Sequence, residues 1–448
     1  MHAASLARAS AGAHGNADVV LEIVRLRAER AELLGFATAA EETSADSTAG
    51  SAAAIAERLR LLAPPAVRNA ARELATLQEF ADEQQRNQGA EPFQLAAHDW
   101  MFYAEQVRER DFEIDTAAMQ PYFEMNRVLV DGAFAAATMV YGIIFKPRPD
   151  LEGYSPDVQV FEVLDHDGTG LGLFLFDPYA RPVKRGGAWM SSFVEQSELL
   201  DQRAVVFNVH NVPKPPAGSP TLLTLDEVET VFHELGHALH GLLAHTVYPS
   251  HSGTNVKRDF VEYPSQVNEM WMLHPLVLPR YAVHHVTGEP MPAEWVERLQ
   301  RASQFNEGFM TTEYLAAAIL DQAWHSLSRA EAEAVHDVAA FEREALEAAG
   351  VLVAEVPCRY STCYFQHIFA GGYVAGYYGY IWSEVFDAAT SERFAALGED
   401  AAAIRQLGER FRSTILGPGG SRDALETVRE FFDGEPSIEP LLRRRGLQ

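Results

Sequence analysis

Apolar residues recur every three to four positions along most of this chain, which is the spacing of one face of an α-helix. Residues 17–35 show this pattern, so we expect an amphipathic helix there that ends at its terminal glycine. Two more helices are expected at 52–62 and 66–83, because Pro64 and Pro65 should end the first of them. The C-terminal part of the chain shows the same pattern. The protein is therefore predicted to be mostly α-helical.

The middle of the chain instead alternates apolar and polar residues with a period of two, which is typical of β-strands. Residues 158–165 and 171–177, separated by the turn sequence His-Asp-Gly-Thr at 166–169, predict a β-hairpin. Residues 186–193 and 203–209 predict two further short strands. A small β-sheet is therefore expected within the helical protein.

The strand predicted at 186–193 begins with two glycines, Gly186 and Gly187. A strand at the edge of a sheet can pair with an extended peptide, and glycines let two backbones approach closely. The alternative is a purely structural sheet with a glycine bulge. Peptide binding at Gly186 and Gly187 is therefore a hypothesis that the sequence raises beside the structural one.

One helical segment carries candidate metal chemistry, and it reads Thr-Val-Phe-His-Glu-Leu-Gly-His-Ala-Leu-His over residues 230–240. His233 and His237 lie on the same face of such a helix, about 6 Å apart along its axis. Two imidazoles at that spacing can bind one zinc ion, and Glu234 beside them can act as a general base on a metal-bound water. The segment therefore predicts the H-E-x-x-H site of a zinc peptidase.

Catalytic zinc usually has three protein ligands, so a third ligand is needed. His240 would lie about 10 Å from His233 along the helix, which is too far to share one ion. The next segment offers three acids, Asp259, Glu262 and Glu269. Glu262 and Glu269 would lie on one helical stripe, so one could bind the metal while the other supports it. Spacing alone leaves this choice open.

A second segment, residues 364–382, is rich in aromatic residues and contains a Gly-Gly pair, which suggests a mobile loop that leads into a helix. Tyr373, Tyr377 and Tyr380 recur at helical spacing and should share one face. Such a stripe commonly belongs to a protein core. Peptide hydrolysis also needs hydrogen-bond donors for the oxyanion, and phenol O–H groups meet that need. The segment is therefore a candidate for either role.

The composition and charge of the chain indicate which binding partners and which cellular compartment to expect. A formal net charge of −27 argues against nucleic acid or an anionic membrane as a partner. No stretch reaches the roughly 18 apolar residues of a spanning helix. The N-terminus does not read as a signal peptide, although its Ala, Ser and Arg content leaves a transit peptide as an alternative. Two cysteines cannot form a disulfide framework. A cytoplasmic protein is therefore expected.

Three segments resemble the thimet oligopeptidase family of zinc metallopeptidases, and most closely its peptidyl-dipeptidase branch. They are His-Glu-Leu-Gly-His-Ala-Leu-His at 233–240, Gly-Thr-Asn-Val-Lys-Arg-Asp-Phe-Val-Glu at 253–262 and Gly-Gly-Tyr-Val-Ala-Gly-Tyr-Tyr-Gly-Tyr at 371–380. The resemblance implies a mostly α, zincin-like (gluzincin) catalytic domain with a small mixed β-sheet and a bound Zn²⁺ ion.

The resemblance also implies a role for each candidate residue. Glu262 becomes the third zinc ligand, and His367 has the spacing before Tyr373 that is typical of the peptidyl-dipeptidase branch. Arg258 and Arg359 are two candidate cations for the C-terminal carboxylate of a substrate, between which the sequence does not choose. The full set is, for metal binding, His233, His237 and Glu262; for support of the ligands, Glu229, Asp259 and Glu269; for catalysis, Glu234, His367, Tyr373 and Tyr380; and for substrate binding, Gly186, Gly187, Arg258, Arg359 and Tyr377.

The resemblance further predicts the domain organisation and the reaction. The chain is expected to lack the N-terminal third of a family member, so that residues 1–95 are a helical remnant of the channel wall and residues 96–448 form the catalytic domain. The predicted function is zinc-dependent release of C-terminal dipeptides from short peptides by a monomer. The alternatives are an endo-acting oligopeptidase of the same family and a truncated remnant that binds zinc or peptides with impaired catalysis.

Overall fold

A computed structural model describes residues 2–113 and 115–447. Helices predominate, so the prediction of a mostly α-helical protein is confirmed. The α-helices are α1 (His2–Leu6), α2 (Ala17–Leu33), α3 (Ala39–Ser44), α4 (Ala52–Gln88), α5 (Trp100–Phe112), α6 (Thr116–Met119), α7 (Met125–Arg127), α8 (Ala135–Tyr141), α9 (Leu225–Leu242), α10 (Tyr263–Glu269), α11 (Leu278–Tyr281), α12 (Ala293–Ala302), α13 (Glu307–His325), α14 (Arg329–Ala334), α15 (Val338–Ala348), α16 (Gln366–Phe369), α17 (Gly379–Ala395), α18 (Ala401–Phe411), α19 (Ala424–Phe432) and α20 (Glu439–Arg444). Within the described ranges, no helix is both long enough and apolar enough to cross a membrane.

The chain folds into two compact units that alternate along the sequence. Unit 1 comprises residues 1–114, 298–382 and 441–448, and unit 2 comprises residues 115–297 and 383–440. Residues 1, 114 and 448 of unit 1 lie outside the described part. The division into 1–95 and 96–448 stays a prediction.

Helix α4 of unit 1 runs through Pro64 and Pro65, so the prediction of two helices separated by these prolines is wrong. Ser51 caps its N-terminus by accepting a hydrogen bond from the N–H of Ala54, and Gly89 ends it with a φ of 67°. A proline inside a helix costs about 3 kcal/mol, so tertiary packing must outweigh this penalty. The buried residues that supply the packing lie on both sides of the prolines, at Ile55, Leu59, Leu62, Ala66, Ala70 and Leu77.

The core of unit 1 joins α4, α5 and α13. The rings of Trp100 and Phe309 have their centroids 4.9 Å apart, and both residues are buried with Leu77 of α4. The Glu73 carboxylate of α4 accepts hydrogen bonds from the N–H groups of Gly308 and Phe309, at 2.7 and 2.8 Å. These N–H groups belong to the first turn of α13 and lack partners within the helix, so Glu73 fixes the start of α13.

The sheet of unit 2 is mixed and has the strand order β1-β2-β3-β5-β4. Its strands are β1 (Ile144–Pro147), β2 (Gln159–Leu164), β3 (Gly170–Tyr179), β4 (Trp189–Val194) and β5 (Ala204–Val212). β2 and β3 form the predicted antiparallel hairpin, β3 and β5 are parallel, and the other pairs are antiparallel. β4 is an edge strand, but it begins at Trp189, so the prediction that Gly186 and Gly187 belong to the strand is wrong. The turn before β4 contains them, and Gly187 has a φ of 85°.

The tyrosine segment of unit 1 also differs from the expectation. α17 begins at Gly379, so Tyr380 is helical, whereas Tyr373 and Tyr377 lie in a turn that precedes the helix. Ala375 within this turn has a φ of 49°, which is incompatible with a continuous helix. The predicted common helical face is therefore wrong, although the rings of Tyr373 and Tyr377 both still pack against that of Tyr380.

Candidate metal centre

Helix α9 of unit 2 places both histidines of the motif on one face. The helix begins at a capping box, in which the side chains of Thr224 and Glu227 each accept a hydrogen bond from the backbone N–H of the other. Asp226 in the first turn lies where the helix dipole favours negative charge. The imidazole centroids of His233 and His237 lie 4.9 Å apart, one helical turn from each other. This helix therefore presents two nitrogen donors side by side.

Glu262, at the start of α10, completes a cluster of three potential ligands. Its Oε2 lies 3.3 Å from Nε2 of His233 and 3.2 Å from Nε2 of His237. Two ligand atoms about 2.0–2.1 Å from a tetrahedral zinc ion are about 3.3–3.4 Å apart, so these separations are close to the expected ones. In the part of the chain that the structure describes, these three residues form the one group of His, Cys, Asp or Glu side chains close enough to bind a metal.

A close approach between α9 and α10 makes this cluster possible. A Cβ atom on Gly236 would lie 2.6 Å from Cα of Ser265, so a larger residue could not be accommodated without movement. Asn268 also donates a hydrogen bond to the carbonyl oxygen of Phe232 at 2.6 Å. The sequence analysis did not identify Gly236 or Asn268 as contributors. The glycine inside the motif was the available signal for close packing.

The electrostatics of Glu262 suit a cation ligand. Burial raises the pKa of its carboxyl, but the neighbouring imidazoles of His233 and His237 lower that pKa by a larger amount, so the net pKa lies well below the ordinary value. An ionised carboxylate oxygen and two imidazole nitrogens are donors that zinc accepts in catalytic sites. The residues present therefore fit a zinc ion.

Three further acids were predicted to support the ligands. Oε1 of Glu269 lies 2.6 Å from Nδ1 of His233, on the side of the ring opposite to the cluster. Glu229 is exposed, and among the described residues it is Glu269, not Glu229, that makes the hydrogen bond to this imidazole. Asp259 is buried, and its carbonyl oxygen accepts a hydrogen bond from Oγ of Ser383 at 2.8 Å. Of the three acids, Glu269 therefore contacts a ligand directly.

Glu234, between the two histidines, is almost fully buried, with 5% of its surface exposed. Its Oε2 has no hydrogen-bond partner among the described residues. Burial raises the pKa of this carboxyl above its ordinary value. A desolvated carboxylate with an oxygen free of protein partners is suited to exchange a proton with a water molecule.

The predicted oxyanion donors form a second group, in unit 1. The rings of Tyr373 and Tyr380 stack at a centroid distance of 5.5 Å and an angle of 14°, and the Tyr380 hydroxyl donates to the Tyr373 hydroxyl at 3.1 Å. His367 has its ring centroid 6.0 Å from that of Tyr373 and 5.4 Å from that of Tyr377. The four aromatic side chains of His367, Tyr373, Tyr377 and Tyr380 therefore pack together, within the unit that does not contain the metal ligands.

The predicted substrate-binding residues are distributed over both units. Arg258, Gly186 and Gly187 belong to unit 2, whereas Arg359 and Tyr377 belong to unit 1. Both arginines are exposed, as are both glycines. Asn211 donates a hydrogen bond to the carbonyl oxygen of Gly187 at 2.6 Å, which fixes the turn before β4.

The fold and the site together define the class of protein. A mostly helical domain with a small mixed sheet, in which two histidines of one helix and a glutamate of the next converge, is a metallopeptidase domain of the gluzincin type. The sequence model of Peptidase family M3 matches residues 1–447, and the chain belongs to this family.

Relatives of the chain include two dipeptidyl carboxypeptidases. That of Salmonella typhimurium (strain LT2) is 45% identical over 449 residues, which cover 100% of this chain and 64% of the relative. That of Escherichia coli (strain K12) is 45% identical over 429 residues, which cover 96% of this chain and 62% of the relative. Oligopeptidase A of Escherichia coli (strain K12) is 35% identical over 447 residues, which cover 98% of this chain and 63% of the relative. The chain thus spans less than two thirds of the length of these relatives.

Solved structures with a similar fold include two carboxypeptidases. The carboxypeptidase of Pyrococcus furiosus has a TM-score of 0.54 at 12% identity, over 98% of this chain and 75% of that one. The M32 carboxypeptidase of Deinococcus radiodurans R1 has a TM-score of 0.53 at 14% identity, over 95% of this chain and 72% of that one. At this identity the likeness concerns the fold alone.

Proposed function

We propose that the chain is a zinc-dependent peptidase that releases dipeptides from the C-terminus of short peptides. The observation that carries this proposal is the separation of 3.2–3.3 Å between Oε2 of Glu262 and Nε2 of His233 and His237. Membership of Peptidase family M3 supports the metallopeptidase chemistry. Both of the 45% identical relatives carry the name dipeptidyl carboxypeptidase, which supports the exo-acting mode.

The chemistry follows from the ligands and from Glu234. His233, His237 and Glu262 would hold the zinc ion, which would supply a Lewis acid to polarise the scissile carbonyl. Glu234 takes a proton from the attacking water and passes it to the nitrogen of the leaving amine. Its raised pKa suits this exchange, because the group must first accept and then release a proton.

The oxyanion donors are the second part of the proposal. The hydroxyl of Tyr380, with His367 and Tyr373, is proposed to donate hydrogen bonds to the oxygen that becomes negatively charged in the transition state. The Tyr373 and Tyr380 hydroxyls lie 3.1 Å apart, which supports a shared role. The single proton that Tyr380 donates to Tyr373 in this structure would turn to the substrate oxygen during the reaction. These donors and the metal ligands belong to different units, so their joint action rests on the family resemblance and stays a prediction.

An N-acetylated hexapeptide with a free C-terminus separates the two modes of peptide cleavage. The proposal predicts stepwise loss of two residues from the C-terminus, detected by mass spectrometry, and no cleavage by that route when the C-terminus is amidated. One internal cut that is indifferent to amidation would instead identify an endo-acting oligopeptidase. The 35% identity to oligopeptidase A keeps that mode as the second candidate.

Arg258 and Arg359 remain the two candidates for binding the substrate carboxylate. Replacing the responsible arginine by methionine should raise KM for the free-acid peptide and leave the inhibition constant of the amidated peptide as a competitor unchanged, because only the free acid carries the charge that arginine binds. Replacing the other arginine should change neither value.

We further propose that short peptides are the partners and that the protein is a cytoplasmic monomer. The net charge of −27 and the free thiols of Cys358 and Cys363 are consistent with a reducing compartment and with no nucleic-acid or membrane partner. Light scattering of the purified chain tests the monomer. Purified protein that is folded and binds zinc, yet shows no turnover sensitive to a chelator, would identify a remnant without catalysis.

A further inference from the structure

A row of three polar side chains in unit 1, two of them buried, ends on the loop that carries the predicted oxyanion donors. Nη1 of Arg27, from α2, lies 2.8 Å from Nε2 of His325, and Nδ1 of His325 lies 2.8 Å from Oδ1 of Asp321. The side chains of Asp321 and His325 are both completely buried. Ionisable groups are rarely buried to this extent unless their hydrogen bonds are satisfied, so the partners of Asp321 define what the row does.

The direction of each hydrogen bond in the row follows from the chemistry of the groups. An arginine can only donate, so Nε2 of His325 accepts from Arg27. The proton of the imidazole must then be on Nδ1, which donates it to the carboxylate of Asp321. Asp321 is thereby held by a donor that is itself held by Arg27.

Both carboxylate oxygens of Asp321 also accept hydrogen bonds from the backbone of the tyrosine loop. Oδ1 accepts from the N–H of Ala375 at 3.0 Å, and Oδ2 accepts from the N–H of Tyr377 at 2.9 Å. Ala375 has a φ of 49°, a conformation that residues with a Cβ atom adopt rarely and that the surroundings must enforce. The two hydrogen bonds that Asp321 accepts hold the backbone in this conformation.

Neighbouring side chains fix the same loop through its carbonyl groups. Gln322 donates to the carbonyl oxygen of Ala375, and the Tyr314 hydroxyl donates to that of Tyr377, both at 2.7 Å. Arg27 donates to the carbonyl oxygen of Ile368 at 2.7 Å, just before the glycine pair. The backbone between His367 and Tyr380 is therefore held from both sides.

We propose that Asp321, oriented by His325 and Arg27, is a positioning residue that sets the turn at Ala375 and so places the hydroxyls of Tyr373 and Tyr380 for catalysis. This inference rests on the proposed function, because positioning has a kinetic effect only if these hydroxyls act on the substrate. It adds two residues from α13 and one from α2 to the groups on which turnover depends.

A purely structural role for Asp321 is the competing explanation, and Glu73 provides the matched control. Each carboxylate accepts hydrogen bonds from two backbone N–H groups in unit 1, but those of Glu73 belong to Gly308 and Phe309 at the start of α13. Replacing either carboxylate by its amide keeps the size of the side chain. One oxygen that accepts a hydrogen bond from a backbone N–H group becomes an NH₂ group, which can only donate and so leaves that N–H without an acceptor. Both variants therefore place an amide against two backbone N–H groups of unit 1, although Asp321 is completely buried and Glu73 is half-buried. Only Asp321→Asn removes a contact with the tyrosine loop.

The test compares wild type, Asp321→Asn and Glu73→Gln by peptide hydrolysis and by amide hydrogen exchange of residues 371–381. For Asp321→Asn we expect kcat to fall about tenfold to a hundredfold, which is the size of effect that a misplacement of about 1 Å produces. KM should change little, and exchange in the loop should be faster than in wild type. Glu73→Gln should retain the wild-type kcat and the wild-type exchange of this loop.

Equal losses of kcat in the two variants would overturn the proposal, as would a wild-type kcat in Asp321→Asn. If Asp321→Asn does not fold, Arg27→Gln provides the test, since Arg27 is only half-buried and its removal leaves the carboxylate in place. We then expect a smaller loss of kcat in the same direction, partly restored in Arg27→Lys, and an unchanged kcat would overturn the proposal. If wild type hydrolyses no peptide, the proposed function fails, and the exchange of the loop still decides whether Asp321 holds it.

Discussion

The carboxylate of Glu269 lies 2.6 Å from Nδ1 of His233. Burial raises the pKa of this carboxyl to about 7, and in its ionised form the group can only accept a hydrogen bond. It then holds the proton of the imidazole on Nδ1 and leaves the lone pair of Nε2 directed to the side where Glu262 lies. One hydrogen bond thus selects both the tautomer and the orientation of a proposed zinc ligand. Residues 36 positions apart in the chain make this contact, through the packing of α10 on α9.

Glu269→Gln should weaken zinc binding about tenfold to a hundredfold, which is typical when the partner of a ligating histidine is removed. The amide is a poorer acceptor and can also present its NH₂ group to the ring. Competition with a chromophoric chelator measures the affinity. Asp226→Asn is the control, because Asp226 is an exposed acid in the first turn of the same helix and makes no hydrogen bond to His233 in the described structure. Equal affinities for Glu269→Gln and wild type would contradict the role of Glu269.

Glu234→Gln should abolish turnover while zinc remains bound. The amide keeps the size of the side chain but cannot accept the proton of the attacking water, and general-base catalysis contributes about 10²–10⁴-fold in rate. Steady-state hydrolysis and zinc content measured on the same preparation check this outcome. Activity within a factor of about two of wild type would show that another group is the base.

Tyr380→Phe should lower kcat about 10²–10³-fold with little change in KM, because the lost hydroxyl is proposed to act on the oxyanion in the transition state. The ring and its stacking on Tyr373 are retained in this variant. Tyr364→Phe removes a hydroxyl from the same aromatic segment and should behave as wild type. A rise in KM without a fall in kcat would assign Tyr380 to substrate binding instead.

Asp177 should contribute strongly to the stability of unit 2. Its buried carboxylate receives two hydrogen bonds from Arg181, at 2.6 and 2.7 Å, and an ion pair from the buried Lys184 at 2.9 Å. Asp177→Asn should lower the free energy of unfolding by about 3–5 kcal/mol, because it leaves buried positive charge uncompensated. Chemical denaturation at pH 7 measures this difference.

The stabilisation that Asp177 contributes should decrease as the pH falls. Burial raises the pKa of Asp177, but the hydrogen bonds that its carboxylate accepts from Arg181, Lys184 and Tyr154 lower that pKa by a larger amount, so the folded-state pKa lies below the ordinary value. The stabilisation is therefore complete above about pH 4 and is lost as the pH falls, so the free energies of unfolding of wild type and Asp177→Asn should converge in acid.

Asp150→Asn is the control for the effect of burial. Asp150 also pairs with an arginine, Arg148, but is exposed, so this change should have little effect on stability. An effect of equal size in both variants would contradict the importance of burial.

The parts of the fold that follow from local sequence were predicted correctly. The β2–β3 hairpin could be predicted because alternating apolar residues flank a turn sequence. The helix that carries His233 and His237 could be predicted because the residues of its motif are contiguous in the sequence. Spacing alone could not choose between Glu262 and Glu269, because both lie on one stripe and the choice depends on how α10 packs against Gly236.

The features that were missed depend on contacts between distant segments. Helix α4 continues through Pro64 and Pro65 because packing on both sides of them outweighs a local penalty. The turn that contains Tyr373 and Tyr377 replaces a helical pattern because Asp321, more than 50 residues earlier, holds Ala375 at a positive φ. No periodicity in residues 364–382 could reveal that partner. The i, i+4 spacing of Asp321 and His325 on a predicted helix was the one available signal.

A crystal structure of the zinc-loaded protein, with anomalous data on both sides of the zinc absorption edge, tests the central claim most directly. The account predicts one zinc peak about 2.0–2.2 Å from Nε2 of His233, Nε2 of His237 and a carboxylate oxygen of Glu262. A fully zinc-loaded crystal with no anomalous peak among these three side chains would contradict it.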